Sequence, residues 1–77
     1  MIKSVNTCRN LKSIREYRGF TQPELAEKIG VSQQMISYIE KGLKEPSTIN
    51  LIRIADSLNC SLDELTGRKK FIDRKED

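Results

Sequence analysis

Residues 21–42 read TQPELAEKIGVSQQMISYIEKG, and this stretch decides the fold. It predicts a helix that begins after Thr21, because Thr21 and Glu24 have the spacing of a capping box. It predicts a second helix after Ser32, which is another favourable N-cap residue. Gly30 ends the first helix, so only three residues connect the two. Two helices joined by such a short turn, with a glycine at its start, are typical of a helix-turn-helix unit.

The second helix, expected over 33–41, has two distinct faces. At about 100° per residue, the apolar side chains fall together on one face with a single acid, Glu40. The opposite face, called the polar face below, carries Gln33, Gln34, Ser37, Tyr38 and Lys41. Amide side chains could read bases in a DNA major groove, because an amide both donates to and accepts from an adenine edge. A face that is merely solvated has the same pattern, so the spacing alone leaves both interpretations open.

Glu40 is one of two charges that the helical spacing turns inward. The other is Arg15, on the inward face of a further helix, nearer the N-terminus, that is expected over 9–18 and ended by Gly19. A charge at a core-facing position is tolerated mainly when it is paired, so we predict an ion pair between Arg15 and Glu40. In the alternative, both side chains extend to solvent along their apolar stems.

The remaining pattern predicts two more helices and no strand. One begins after Ser47 and runs to about Leu58, with apolar residues at helical spacing. The other is short, opened by a second capping box at Ser61 and Glu64 and closed by Gly67. We therefore predict an all-α protein, a compact five-helix bundle that contains the helix-turn-helix.

One domain is expected over 9–67, preceded by an N-terminal segment, 1–8, and followed by a charged C-terminal tail, 68–77. The tail reads RKKFIDRKED, with Phe71 and Ile72 as its only apolar pair. Its high charge predicts that the tail is frayed.

Composition limits the classes of function. The 77 residues, 36% hydrophobic and 32% charged, fit one globular domain with a modest core. No apolar run approaches the ~18 residues of a membrane span. The N-terminus lacks the apolar centre of a secretory signal, so a cytoplasmic location without membrane association is expected. The net charge of +3 is only a weak indication of a nucleic-acid partner, because the excess of bases lies at the two ends of the chain.

The residue types argue against an enzyme. Histidine is absent, and the two cysteines, Cys8 and Cys60, lie far apart, which excludes the usual zinc sites and histidine-dependent nucleophiles. Each cysteine is interpreted as a small apolar residue. Asp56, Asp63 and Glu64 are interpreted as surface and capping carboxylates. The sequence indicates no metal, no cofactor and no small-molecule ligand.

From these motifs the chain resembles the helix-turn-helix family of phage repressors and Cro proteins, often called the XRE family. The resemblance is closest over 21–42, starts with LKSIREYRGF at 11–20 and continues through PSTINLIRIADSLNCSLDELTG at 46–67. It implies a five-helix domain of the kind that usually binds palindromic DNA operators as a dimer. It also implies that the Arg15–Glu40 pair is a family feature.

The resemblance further implies which side chains contact DNA. Four residues of the polar face are expected at bases or nearby phosphates: Gln33, Gln34, Ser37 and Tyr38. Gln22 is expected to anchor a phosphate, and Lys41 and Lys44 are expected to follow the DNA backbone. The caps Thr21 and Ser32 complete the predicted phosphate-binding set, because the free N–H groups of a helix N-terminus favour phosphate. Tyr38 is larger than the residues common at its position in the family.

These features predict a sequence-specific, double-stranded-DNA-binding transcriptional regulator, a repressor or, less often for such proteins, an activator. One alternative is an antitoxin that binds both its promoter and a toxin protein. Another is a protein–protein adaptor that has lost DNA binding; acidic residues on the polar face would favour it, and the polar face has none.

A homodimer is expected, because a single recognition helix covers only a few base pairs. Its interface is predicted on surplus apolar residues of the C-terminal part: Ile49, Ile52, Leu62, Leu65, Phe71 and Ile72. In the alternative, the last two helices only close the core, and the dimer assembles only on DNA.

Overall fold

The computed structural model describes residues 6–71, which form five α-helices. In chain order the helices are α1 Leu11–Tyr17, α2 Gln22–Ile29, α3 Gln33–Glu40, α4 Thr48–Leu58 and α5 Leu62–Thr66. Residues 6–71 contain no strand. The predicted all-α fold with five helices is therefore confirmed.

Local capping explains where four of the five helices begin. At the start of α2, Thr21 Oγ1 accepts the Glu24 backbone N–H at 3.2 Å, and Glu24 Oε1 accepts the Thr21 backbone N–H at 2.9 Å. Ser32 caps α3 by accepting the Met35 backbone N–H at 3.1 Å. Helices α4 and α5 begin after serine caps in the same way. The predicted caps are confirmed because they depend only on residues three apart.

Helix α1 begins at Leu11, two residues later than the predicted start at Arg9. Its N-cap residue, Asn10, makes no side-chain cap. Instead, Asn10 Nδ2 donates to the backbone oxygen of Glu64 at 2.9 Å, and the Asn10 backbone N–H donates to the backbone oxygen of Leu65 at 3.2 Å. The segment before α1 is thus bound to α5 rather than continuing the helix.

The apolar faces of all five helices meet in one core. Its members are Cys8, Leu11, Ile14, Leu25, Ala26, Ile29, Ile36, Ile39, Ile54, Ala55, Leu58 and Leu65. Helix α2 packs against both α3 and α4. Cys8 is a free thiol inside this core, as expected of a small apolar residue.

The C-terminal part differs from the prediction at three residues. Leu65 is 0% exposed and belongs to the core, so it is not available for the predicted dimer interface. Phe71 packs against the core, and its ring centroid lies 5.5 Å from that of Tyr17, so the prediction of a frayed tail is wrong at this residue. Ile72 and the residues after it, 73–77, lie outside the described residues. Glu64 caps α5 as predicted, but it is 1% exposed and is no surface carboxylate. Its carboxylate folds back to accept the Ser61 backbone N–H at 2.8 Å.

Candidate nucleic-acid interface

The two faces predicted for α3 are present in the structure. Ile36 and Ile39 are fully buried, and Met35 is partly buried against the core. On the polar face, the side chains are exposed or half-buried: Gln33, Gln34 and Lys41 are exposed, and Ser37 and Tyr38 are half-buried. The core therefore fixes which way the polar face points.

Two residues of the polar face are bonded to each other. Gln34 Nε2 donates to the Tyr38 hydroxyl at 2.8 Å, one helical turn away. The bond leaves the Gln34 carbonyl oxygen as an acceptor and the Tyr38 hydroxyl hydrogen as a donor, next to one another. The i, i+4 spacing was a sequence signal for this contact.

Arg15 and Glu40 form a buried ion pair. Arg15 Nε donates to Glu40 Oε2 at 2.5 Å, and Arg15 Nη2 donates to Glu40 Oε1 at 3.3 Å. Arg15 Nη1 also donates to the backbone oxygen of Phe20 at 2.7 Å. The side chains of Arg15 and Glu40 are only 7% and 4% exposed. Helix α1, the turn after it and the C-terminal end of α3 are thus joined by one guanidinium.

Gln22 belongs to the same network. Its Nε2 donates to Glu40 Oε1 at 2.9 Å, across 18 residues of sequence. Sequence reasoning missed this contact, because it depends on how α2 crosses α3 and no local spacing indicates it. The bond brings the N-terminus of α2 next to the C-terminal end of α3.

The predicted phosphate-binding residues therefore lie at two ends of α3. Gln22 lies beside Glu40, close in sequence to Lys41 and the loop that carries Lys44. Ser32 lies at the other end of α3, roughly 12 Å away for an eight-residue helix. Within residues 6–71, neither Lys41 nor Lys44 forms an ion pair, and both are exposed.

Over residues 6–71, no group of three or more His, Cys, Asp or Glu side chains could hold a metal ion. None of the helices there is both long and apolar enough to cross a membrane.

Comparison with known proteins places this geometry in a family. The family model described as Helix-turn-helix matches residues 11–65. The chain belongs to this helix-turn-helix family. The resemblance predicted from the sequence is confirmed, and the matched residues contain α1 to α4 and most of α5.

Individual relatives agree with the family. The HTH-type transcriptional regulator ImmR of Bacillus subtilis (strain 168) is 31% identical over 68 residues, which cover 88% of this chain and 54% of ImmR. Antitoxin PezA of Streptococcus pneumoniae is 32% identical over 69 residues, covering 90% of this chain and 44% of PezA. The chain thus spans about half the length of these two relatives.

A solved structure has the same fold. The restriction-modification controller protein C.AhdI from Aeromonas hydrophila superposes with a TM-score of 0.71 at 26% identity, over 79% of this chain and 92% of that protein.

Proposed function

We propose that this chain is a sequence-specific, double-stranded-DNA-binding transcriptional regulator that acts as a repressor. The observation that carries the proposal is the polar face of α3. It is uncharged except for Lys41, it is accessible, and the core and the Arg15–Glu40 pair fix its orientation. The proposed activity is binding, and no catalytic step is invoked.

The dimensions of α3 support major-groove binding. A helix of this length spans roughly 12 Å, about the width of the major groove of B-DNA. We assign Gln33, Gln34, Ser37 and Tyr38 to base edges. The phosphate contacts are assigned to residues at the two ends of α3: Thr21, Gln22, Ser32, Lys41 and Lys44. Repression follows from occupancy, because a protein bound across a promoter blocks access to it.

Selection of bound sequences from a random DNA pool tests this proposal. We expect a reproducible motif, bound with a Kd of about 10⁻⁸ M or tighter at physiological salt, against about 10⁻⁴–10⁻⁶ M for random DNA. A pool that gains no motif after repeated rounds contradicts the proposal and favours the adaptor hypothesis.

We also propose that the chain binds a palindromic operator as a homodimer. Three apolar side chains of the last two helices are exposed: Ile49 at 62%, Ile52 at 45% and Leu62 at 43%. Ile49 and Ile52 are one turn apart on α4, so they lie on the same face of that helix. A second copy of this chain is the proposed occupant of this surface, because two-fold pairing doubles the length of DNA that is read. Leu65 is excluded from the interface by its burial.

An antitoxin is the second candidate function, favoured by the 32% identity to PezA. An antitoxin must bind a protein partner as well as DNA. It is tested by purification of the tagged chain from its native host, followed by expression of each copurifying protein alone. Growth arrest that this chain relieves supports the antitoxin function. Copurification of DNA without such a protein supports the regulator alone.

A further inference from the structure

The carboxylate of Glu40 has three hydrogen-bond donors around it. Two come from the Arg15 guanidinium, at 2.5 Å to Oε2 and 3.3 Å to Oε1. The third is the carboxamide nitrogen of Gln22, at 2.9 Å from Oε1. An ion pair between Arg15 and Glu40 needs only the first two, so the contact with Gln22 calls for a separate explanation.

The carboxamide nitrogen of glutamine carries two hydrogens. Glu40 accepts one of them, which restricts the rotation of the Gln22 side chain and leaves the second N–H for another acceptor. Gln22 is the first residue of α2, where backbone N–H groups also favour an anion. We propose that Glu40 is a positioning residue that aims the second N–H of Gln22 at a DNA phosphate. The inference rests on the proposed function, because it requires that the chain binds DNA.

Charge explains why Arg15 is part of this arrangement. A carboxylate close to a phosphate contact would repel the DNA backbone if it stood alone. Arg15 neutralises Glu40 within the protein, and both side chains are nearly inaccessible to water. The neutral pair can therefore orient the amide without adding repulsion. The bond from Arg15 Nη1 to the Phe20 backbone oxygen also holds the guanidinium against the turn before α2.

The arrangement reduces the cost of binding. A glutamine side chain that is already ordered loses less conformational entropy when it contacts a phosphate. Because Glu40 belongs to α3 and Gln22 to α2, the phosphate anchor and the polar face are held in one register. A phosphate contact made by Gln22 thus fixes where α3 sits along the groove.

A double-mutant cycle on DNA affinity tests the inference, using the selected duplex and folded fractions checked by circular dichroism. In the wild-type background, Gln22→Ala is expected to weaken binding by about tenfold, as for loss of a hydrogen bond to a charged group. In the Glu40→Ala background, the same change is expected to cost less than about twofold, because Gln22 is no longer oriented. Glu40→Gln retains an oxygen that accepts from Gln22, so it is expected to restore most of the sensitivity.

Lys41→Ala is the matched control, because the Lys41 side chain forms no hydrogen bond or ion pair with Gln22, Glu40 or Arg15. Its cost should be the same in the wild-type and Glu40→Ala backgrounds. Equal losses for Gln22→Ala in the two backgrounds overturn the inference, while the proposed function stands. A wild-type chain that binds no duplex better than random DNA overturns the proposed function, and the inference with it.

A measurement on the wild-type protein covers the case in which Glu40→Ala does not fold. Nitrogen-15 relaxation of side-chain amides compares Gln22 with Gln33, which is exposed and has no side-chain hydrogen bond within residues 6–71. We expect the Gln22 amide to be ordered and the Gln33 amide to be mobile without DNA. Equal mobility of the two amides overturns the inference.

Discussion

Gln34 donates a hydrogen bond from Nε2 to the hydroxyl of Tyr38, one turn later on α3, over 2.8 Å. The two side chains therefore behave as one unit, and each limits the rotamers of the other. A base that approaches the polar face meets an amide oxygen and a phenolic O–H in a fixed arrangement, rather than two independent side chains.

Gln34→Ala should therefore reduce sequence discrimination more than general affinity. We expect a loss of about 1–3 kcal/mol on the preferred site, as for a good base contact, and little change on random duplexes. Titrations on the selected and scrambled duplexes, followed by fluorescence anisotropy, measure both. Equal losses on the two duplexes would contradict base reading by Gln34.

Lys41→Ala and Lys44→Ala should weaken binding to all DNA alike. Each change removes a charge that neutralises a phosphate, so the slope of log K against log salt should fall in magnitude by about one. Gln22→Ala removes no charge and should leave that slope unchanged. Lys12→Ala, at an exposed position of α1, serves as the control. If the slope is the same for Lys41→Ala as for the wild type, Lys41 does not touch a phosphate.

Arg15→Ala and Glu40→Ala should each lower the free energy of unfolding by about 3–5 kcal/mol, because each leaves a buried charge without its partner. Glu16→Ala is the matched control. The Glu16 carboxylate also lies near Arg15, at 3.9 Å, but its side chain is 57% exposed. Such a surface pair is worth about 1 kcal/mol or less. Thermal and denaturant unfolding compare the variants. Parent-like stability of Arg15→Ala would show that the ion pair contributes nothing to the free energy of unfolding.

Ile49→Glu and Leu62→Glu should weaken binding to the full operator by disfavouring the second copy. The same variants should bind a duplex with one half-site as the wild type does, which controls for damage to the polar face. Footprints of the wild type should show two protected half-sites about 34 Å apart on one face of the duplex. A single protected half-site at saturation would exclude the dimer.

Burial raises the pKa of the Cys8 thiol from 9.0 to about 11, with smaller contributions from Glu45 and Cys60. Because the folded pKa exceeds the unfolded one, this thiol stabilises the fold fully below pH 9 and loses that contribution as the pH rises towards 11. A thiol reagent should therefore label Cys8 slowly at pH 8 in a Cys60→Ser variant, and rapidly once denaturant is added. Fast labelling of the native protein would place Cys8 outside the core.

Local chemistry made most of the fold predictable. Caps such as Thr21 and Ser32 act over three residues, and the inward positions of Arg15 and Glu40 follow from helical spacing. The short helix α5 was harder, because five residues cannot distinguish the buried Leu65 from the exposed Leu62 by period alone. The Arg15–Glu40 pair was predicted from its two inward charges, but the contact of Gln22 with Glu40 was missed, because no local spacing indicates it. The crossing of two helices is not encoded in either of them separately.

The bonds from Asn10 to the backbone oxygens of Glu64 and Leu65 have a consequence for synthesis. Asn10 is synthesised early, yet its hydrogen-bonding partners lie more than 50 residues later in the chain. Until α5 is available, the segment just before α1 lacks both of these partners. Helices α2 and α3 can associate earlier, since they are neighbours in sequence. The helix-turn-helix can therefore form ahead of the contacts between Asn10 and α5 that close the domain around it.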